Sequence, residues 1–321
     1  MNVGISTVVY ERGMWYLARS IGDKLQSEGD RVFYWNCQPN FFPVNKQEFQ
    51  EYNVVSRLQE ENEIRGWIEE NEIEKIITIE EWIVERAQIF RKNMKKLIEV
   101  PMFEQVKRDR FFDGFYNIFD EIWCLTDVCY NTFVDGVNDV KYKNAHRKRI
   151  EEVLLFKDLF VREPNNSLGK YFFFPGGWGG QYQRKNIDSV FVAFMNKFSG
   201  SKEISLIISS QREMQGKGEF PENILILDHT LDRGSILNLY ANSMVVVYPS
   251  LREGLGLTFI EADWFGKKVI STDFPPMNEY RNTIPVKVEK FVEVPDSFVP
   301  LAYCDVRDLG DKMETFLEAG K

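Results

Sequence analysis

Short apolar runs alternate with helix-length amphipathic segments along most of this 321-residue chain. The first run, VGISTVVY at residues 3–10, is continuous and rich in β-branched residues, which is typical of a strand buried on both faces of a sheet. The helical segment MWYLARSIGDKLQSEG separates it from the next run, RVFYW at 31–35. Because neighbouring parallel strands need a crossover, usually a helix, this alternation predicts a parallel α/β sheet covered on both faces.

The alternation occurs twice, in two sets separated near the middle of the chain. The further runs of the N-terminal half lie at residues 74–79, 95–101 and 120–126. The pattern weakens after residue 150, where PNNSLG at 164–169 is typical of a linker. The second set of apolar runs, again separated by helical patterns, lies at residues 170–177, 204–209, 223–228, 244–250 and 267–272.

This repetition predicts two Rossmann-like, doubly wound parallel-sheet domains, residues 1–165 and residues 166–321. Hydrophobic residues make up 44% of the chain, which is enough for two cores at this length. Ligands of such sheets bind outside the carboxyl ends of the strands. We therefore expect the binding residues in loops that face a cleft between the two domains.

The charge pattern limits the classes of partner. A net charge of −9 argues against general affinity for nucleic acid. Two stretches, residues 86–110 and 141–149, are nevertheless basic. They are either solvated helix faces or a patch for an anionic acceptor or a membrane surface.

Several features bear on location and on metal. No run reaches 18 apolar residues, and the N-terminus lacks the basic region and cleavage site of a secretory signal, so we expect neither a membrane span nor a leader. The four scattered cysteines predict free thiols in a reducing compartment, hence a cytoplasmic protein, with peripheral membrane contact left open. Cys124 and Cys129 are too isolated from other Cys or His to indicate zinc.

The segment REGLGLTFIEADWFGKK, residues 252–268, carries the clearest functional pattern. It follows the strand run VVVYPS and places Glu253 and Glu261 eight positions apart. The helix predicted after the glycine turn points its first N–H groups and its positive dipole end at the turn between the two glutamates, which makes this turn an anion site. A carboxylate accepts hydrogen bonds from paired hydroxyls. The pattern thus favours a nucleotide sugar, with a diphosphate between two hydroxylated groups. The backbone and side chains that would line this site are those of Gly254, Leu255, Gly256, Leu257 and Thr258.

Residues 245–272 as a whole resemble the donor-site segment of retaining glycosyltransferases of the GT-B fold, especially family 4. That family's pattern is a strand, Pro-Ser, two glutamates with seven residues between them, and a further strand. PGGWGGQYQRKNIDSVFVAF at 175–194 resembles the family's glycine turn, basic pair and helix. FDEIWCLTDVCYNTF at 119–133 resembles the last strand and helix of its N-terminal domain.

The resemblance implies roles for individual residues. Arg184 and Lys185 occupy the positions expected to meet the donor diphosphate. We expect Glu261 to hold the ribose and Glu253 to contact the transferred sugar. Gly180 stands where many family members carry an arginine, and Arg184 is its candidate substitute. Further candidate substrate-binding residues are Gly177, Gly179, Gly13 of the reduced loop YERGM, and His229, which either holds the base or lies in a surface turn.

The resemblance also implies a reaction: transfer of a hexosyl group, with retention of configuration, from a nucleotide-diphosphate sugar to a hydroxyl. No Asp-x-Asp pair is present to hold a divalent ion with the diphosphate, so we expect metal independence and no cofactor besides the donor. The expected acceptor is a saccharide, a glycolipid or a similar molecule. The resemblance implies that residues 1–165 form the acceptor side and residues 166–321 the nucleotide-sugar donor side. The alternatives are modified DNA bases bound along the basic stretches, a nucleotide-sugar-binding protein without turnover, or another GT-B enzyme such as an epimerase. TIEEW at 78–82 either faces the acceptor or caps a helix.

Overall fold

The chain forms two compact units. The computed structural model describes residues 1–10, 13–38, 49, 52–55, 60–157, 168–177, 183–213 and 220–319. The N-terminal unit comprises Met1–Lys157 together with Asp296–Phe298, and the C-terminal unit comprises the rest of the chain. The predicted boundary between residues 165 and 166 lies outside the described residues and stays a prediction.

Parallel strands form the sheet of the N-terminal unit. Its strands are β1 (Asn2–Thr7), β2 (Arg31–Asn36), β3 (Val54–Val55), β4 (Lys75–Ile79), β5 (Lys96–Val100), β6 (Glu121–Cys124) and β7 (Ala145–Arg147). Their order is β3-β2-β1-β4-β5-β6-β7, and each neighbouring pair is parallel. The order reverses between β1 and β4, which is the switch point beside which such sheets bind ligands.

Helices connect these strands and bury their apolar faces on the sheet. They are α1 (Gly13–Ser27), α2 (Glu61–Glu70), α3 (Val84–Asn93), α4 (Arg108–Phe112), α5 (Asp127–Asp135) and α6 (Ile150–Val153), with 3₁₀ turns at Phe103–Gln105 and Phe115–Ile118. Trp67 of α2 is fully buried against β1. A Cβ at Gly4 would lie 2.6 Å from its ring, so the close packing of this helix requires glycine there.

The C-terminal unit repeats the same design. Its main sheet contains β8 (Tyr171–Gly177), β9 (Ser205–Ser210), β10 (Ile224–Leu227), β11 (Val245–Val247), β12 (Val269–Thr272) and β13 (Thr283–Val286). Their order is β10-β9-β8-β11-β12-β13, and each neighbouring pair is parallel, so the switch point lies between β8 and β11. β14 (Val288–Val292) and β15 (Leu301–Cys304) form a separate antiparallel pair.

Four α-helices complete the described part of this unit. They are α7 (Ile187–Phe198), α8 (Arg233–Asn242), α9 (Leu257–Trp264) and α10 (Val306–Ala319), with 3₁₀ turns at Gln183–Lys185 and Met277–Glu279. The core is aromatic: Phe172, Phe173 and Phe174 of β8 are fully buried. The predicted fold class, two Rossmann-like parallel-sheet units, is confirmed.

A buried carboxyl group lies in the N-terminal unit, at Glu99 of β5. Thr78 Oγ1 lies 3.0 Å from the carbonyl oxygen of Ile98 and is also hydrogen-bonded to Glu99 Oε2. A hydroxyl has one proton. If Thr78 donates it to Ile98, the proton between Thr78 and Glu99 comes from a protonated Glu99. Burial raises the pKa of Glu99 well above its ordinary value, which agrees with the neutral form.

This arrangement predicts how stability depends on pH. The unfolded chain ionises Glu99 near its ordinary pKa, whereas the folded chain keeps the proton, so the stability contributed by this group falls as the pH rises above that value. Glu99→Gln keeps both a donor for Thr78 and an acceptor for the backbone N–H of Glu81, at 3.0 Å in the parent. We expect the variant to be the more stable protein in urea at pH 8, by a margin that shrinks towards pH 5. Exposed Glu85→Gln is the control, and a constant margin would contradict the protonated state.

Candidate functional site

The chain that follows β11 is fixed at the carboxyl edge of the C-terminal sheet. The backbone N–H of Tyr248 donates to the carbonyl of Ile270, at 2.8 Å. The hydroxyls of Ser271 and Thr272 donate to the carbonyls of Tyr248 and Ser250, at 2.6 and 2.9 Å. β11 pairs with β8 at the switch point, so the segment that begins at Tyr248 leaves the sheet where a ligand would bind.

Glu253 is the centre of a buried polar cluster in this segment. Its Oε1 lies 2.8 Å from Lys185 Nζ and 3.0 Å from Arg184 Nη1. The same oxygen lies 2.7 Å from Ser250 Oγ and 2.9 Å from the hydroxyl of Tyr248. Burial on its own would raise the pKa of Glu253, but the charges of Arg184 and Lys185 outweigh burial and lower it to about 2. Glu253 is therefore ionised across the physiological range.

Lys185 and Arg184 reach this cluster from the 3₁₀ turn before α7. The turn is held to the loop after β11, because the N–H of Leu251 donates to the carbonyl of Arg184, at 2.8 Å. Arg184 Nη1 also donates to the carbonyl of Arg252, at 3.0 Å. Lys185 Nζ lies 4.6 Å from the ring centre of Tyr248 and contacts its hydroxyl. Cations next to a helix N-terminus are unfavourable unless a negative charge accompanies them, and Glu253 supplies that charge.

The glycine turn leads from Glu253 into α9. Gly256 has φ 76° and immediately precedes the helix. A Cβ at this position would lie 2.8 Å from the ring of Phe259 and 3.9 Å from Glu253 Cβ, so glycine is required by both conformation and space. The N-terminus of α9 thus lies beside the cluster that holds the two cations. An anion bound there would meet the helix dipole as well as Arg184 and Lys185.

Glu261, the second acid, has a cationic partner of its own. It lies in α9, is 6% exposed, and its Oε1 is 2.6 Å from Nη1 of Arg233. Arg233 is the first residue of α8, where Asp232 accepts a hydrogen bond from the N–H of Ser235 at 2.9 Å. The two acids are therefore held by different cations, Glu253 from the turn before α7 and Glu261 from the start of α8.

Some of the other predicted substrate-binding residues lie at the carboxyl edge of the C-terminal sheet, and others do not. Gly177 ends β8 with φ 55°, at the carboxyl edge of the C-terminal sheet. His229 is exposed in the turn between β10 and α8. Gly13 is exposed at the first position of α1 in the N-terminal unit, and Gly179 lies outside the described residues. The residues adjacent to Glu253 in the turn are Gly254, Leu255, Gly256, Leu257 and Thr258, of which only Leu257 is not buried.

Sequence reasoning missed several residues that contact the predicted ones, among them Tyr248, Ser250 and Arg233. Tyr248 and Ser250 flank Pro249 at the end of a buried strand run, a position that could have indicated side chains aimed at the site. Arg233 follows Asp232 at a helix start, and only its contact with Glu261, 28 residues away, gives it a role.

The two basic stretches are interleaved with acids in the structure. Arg86 is buried and paired with Glu81, at 2.7 Å. Further ion pairs join cations of these stretches to acids: Arg91–Asp120, Lys92–Glu61, Lys96–Glu121, Arg147–Asp127 and Arg149–Glu152. These pairs reduce the positive field that a polyanion would meet along the stretches.

Neither a metal site nor a membrane-spanning helix is found among the described residues. Within the described ranges, no group of three or more His, Cys, Asp or Glu side chains is arranged to hold a metal ion. Of the helices in the same ranges, none combines the length and the apolar character needed to cross a membrane.

The segment that carries the site is similar to a known protein family. Residues 216–283 match the family model described as glycosyl transferases group 1, and this range contains Glu253 and Glu261. A search of curated protein sequences returned no match.

Solved structures share the fold over the whole chain. A sucrose-phosphate synthase from Thermosynechococcus elongatus is 12% identical, with a TM-score of 0.66 over 99% of this chain and 90% of that one. An alpha-glucosyltransferase in complex with UDP and a 13-mer DNA is 12% identical, with a TM-score of 0.63 over 100% and 90%. A putative UDP-N-acetylglucosamine 2-epimerase from Listeria monocytogenes is 11% identical, with a TM-score of 0.63 over 99% and 88%. At these identities the solved structures show that this chain shares their fold, and residues 216–283 are similar to the group 1 glycosyl transferases.

Proposed function

We propose that the chain transfers a hexosyl group, with retention of configuration, from a nucleoside-diphosphate sugar to a hydroxyl of a saccharide, glycolipid or similar acceptor. The observation that carries the proposal is the cluster in which Glu253 Oε1 lies within 3.0 Å of both Lys185 and Arg184, beside the N-terminus of α9. Two cations and a helix end suit a diphosphate. A buried, ionised carboxylate in contact with both cations suits the hydroxyls of the sugar attached to it.

In this mechanism the residues act by position and charge. The bond between the anomeric carbon and the diphosphate oxygen breaks, and negative charge grows on the diphosphate, where Arg184 and Lys185 stabilise it. The acceptor oxygen forms its bond on the same face of the sugar and gives its proton to the departing diphosphate oxygen. Glu253 orients the sugar by accepting hydrogen bonds from its hydroxyls. Glu261, held by Arg233, accepts hydrogen bonds from the ribose.

Arg184, Lys185 and the N-terminus of α9 would face the diphosphate together, so we propose that transfer needs no metal and no cofactor besides the donor. All four cysteines are buried thiols outside any disulfide, which supports a reducing compartment and hence a cytoplasmic location.

The test is a donor screen followed by product analysis. A panel of nucleoside-diphosphate hexoses is screened by thermal shift, since a ligand at a hundred times its Kd adds about 2.7 kcal/mol to stability. The best donor is then incubated with sugar acceptors, with and without EDTA, and the anomeric configuration of the product is read by NMR. We expect an α-linked product from an α-donor, with EDTA having no effect. A β-linked product would exclude retention, and conversion of the donor to an epimer would support the epimerase alternative.

A further inference from the structure

Two helices of the C-terminal unit share a buried ion pair at the edge of the sheet where ligands bind. Arg233 Nη1 of α8 lies 2.6 Å from Glu261 Oε1 of α9, and the two side chains are only 14% and 8% exposed. α8 follows β10 and α9 follows β11, so both helices begin near the carboxyl ends of parallel strands. Arg233 is the first residue of α8, and Glu261 lies roughly one turn into α9. The pair therefore lies at the ligand-binding edge.

The start of α8 fixes the position of Arg233. Asp232 Oδ1 accepts a hydrogen bond from the N–H of Ser235 at 2.9 Å, and its Oδ2 accepts one from the hydroxyl of the same serine at 2.6 Å. This cap sets where the helix begins and hence where Arg233 leaves it. Tyr240 lies about two turns further along the same face of α8 and is 1% exposed. Burial, and after it the charge of Glu261, raise the pKa of Tyr240 well above its ordinary value, which agrees with a carboxylate lying against this face.

A contribution to stability is a weak explanation for this ion pair. Removing two charges from water costs free energy that their attraction only roughly offsets, and a well-packed apolar pair is often as stable. The pair does restrict Glu261, whose side chain would otherwise rotate about several single bonds and would have to be ordered when a ligand binds. A carboxylate has about four acceptor positions, so one that is held at Oε1 by Arg233 can still accept from two hydroxyls.

We propose that Arg233 is a positioning residue, which holds Glu261 in the orientation that accepts hydrogen bonds from both the 2′- and the 3′-hydroxyl of a ribose. The arrangement selects a class of donor: ribonucleoside diphosphate sugars, in preference to donors built on a 2′-deoxynucleoside. A 2′-deoxyribose supplies only one of the two hydroxyls, and the fixed carboxylate cannot turn to compensate, so a desolvated acceptor position is left without a partner. The inference rests on the proposed function, in which Glu261 contacts the ribose, and adds the residue that sets this selectivity.

The affinities of nucleoside diphosphates test the selectivity without turnover. The most tightly bound of UDP, GDP, ADP and CDP is compared with its own 2′-deoxy form by calorimetry on the full-length chain. The parent should bind the ribonucleotide about 10- to 100-fold more tightly, as expected for one hydrogen bond to a charged group. Arg233→Met keeps an apolar side chain of similar length and removes the charge. The ratio of the two affinities should fall by about tenfold in this variant, mainly because the ribonucleotide binds more weakly.

A double-mutant cycle shows whether Arg233 acts through Glu261. Glu261→Gln should lose most of the selectivity, and adding Arg233→Met should leave the remaining ratio unchanged, because no carboxylate is left to be positioned. The double variant carries neither charge of the pair, so it supplies a folded comparison even where Arg233→Met alone is unstable. Arg281→Ala is the matched control: it removes an 85% exposed arginine that pairs with Asp263 of α9 at 2.7 Å, and it should keep the parental ratio.

The outcomes separate this inference from the proposed function. Parental selectivity in Arg233→Met, or a further change in the ratio when Arg233→Met is added to Glu261→Gln, would overturn the positioning role alone. A parent that binds the ribonucleotide and its 2′-deoxy form equally would overturn the selectivity and leave sugar transfer to its own test. Absence of binding of every nucleoside diphosphate to the parent would instead overturn the proposed function.

Discussion

Glu253→Gln should transfer sugar about one to three orders of magnitude more slowly than the parent, where each tenfold corresponds to roughly 1.4 kcal/mol of activation free energy. The variant should nevertheless bind nucleoside diphosphate at least as tightly as the parent. In the parent, the carboxylate lies within 3.0 Å of both Lys185 and Arg184 and offsets their charge. The amide keeps the shape but carries no charge, so the diphosphate meets a more positive site. The sugar loses a charged acceptor for its hydroxyls, and its orientation towards the acceptor suffers.

The measurement is diphosphate affinity and transfer rate on the same variant. Glu261→Gln is the matched comparison, because it makes the same change at the acid that we expect to hold the ribose. That variant should lose affinity for the bare nucleoside diphosphate by about 1.5–3 kcal/mol, as for a charge-assisted hydrogen bond. If Glu253→Gln weakened the diphosphate as much as it slowed transfer, Glu253 would belong to the nucleotide and the two acids would exchange roles.

The low pKa of Glu253 predicts how protein stability, and the rate deficit of Glu253→Gln, depend on pH. The pKa in the folded state is about 2 and the ordinary value is 4.5, so the stability that this ionised group contributes is complete above about pH 4.5 and is lost as the pH falls towards 2. The rate deficit of Glu253→Gln should be constant from pH 5 to pH 9, because the parental carboxylate stays charged throughout.

Most strands of both sheets could be predicted because buried strands leave continuous apolar runs. The ends of the strands were predicted less well. The run at residues 3–10 predicts a strand to Tyr10, but β1 ends at Thr7. Val8 and Val9 are buried without continuing the ladder, and the N–H of Val9 lies 3.3 Å from the side-chain oxygen of Asn36. An apolar run thus indicates burial, and pairing with a neighbouring strand is a separate condition.

The strands that the sequence did not reveal lie at sheet edges or outside the main sheets. β7 occupies residues 145–147 within the basic stretch KYKNAHRKR, and this composition predicts a charged surface. An edge strand has one neighbour and faces solvent, so polar side chains such as His146 are tolerated there. β14 is exposed along most of its length and, within the described ranges, pairs with β15 alone, so it too lacks an apolar pattern.

Sequence spacing located the acids and the basic pair, but it could not show which charges meet. Glu253 and Lys185 are 68 positions apart, and their contact arises because the turn before α7 docks on the loop after β11. The same is true of Glu261 and Arg233. Local patterns determine the elements that carry these residues, whereas the pairing depends on how neighbouring crossovers pack at one edge of the sheet.

Because Lys185 is paired with Glu253, its removal affects both stability and the proposed diphosphate site. A double-mutant cycle with Glu253 separates the two effects. Lys185→Ala should lower kcat by about 10²–10³-fold, the usual loss when one preorganised partner of a developing negative charge is removed. It should also lower stability by about 1–3 kcal/mol, because Glu253 is 5% exposed and loses one of its two cations. The stability loss should vanish in the double variant Lys185→Ala/Glu253→Gln, where neither charge of the pair remains.

The transfer rate in the cycle decides what Lys185 does. If Lys185 stabilises the leaving diphosphate, adding Lys185→Ala to Glu253→Gln should lower kcat by roughly a further hundredfold, because the interaction with the transition state is independent of Glu253. If Lys185 serves only to balance Glu253, the double variant should match Glu253→Gln within about twofold, the scatter of unrelated effects. Urea denaturation and kcat measured on the same four proteins keep the structural and catalytic contributions apart, since only the catalytic one persists once the buried charge is gone.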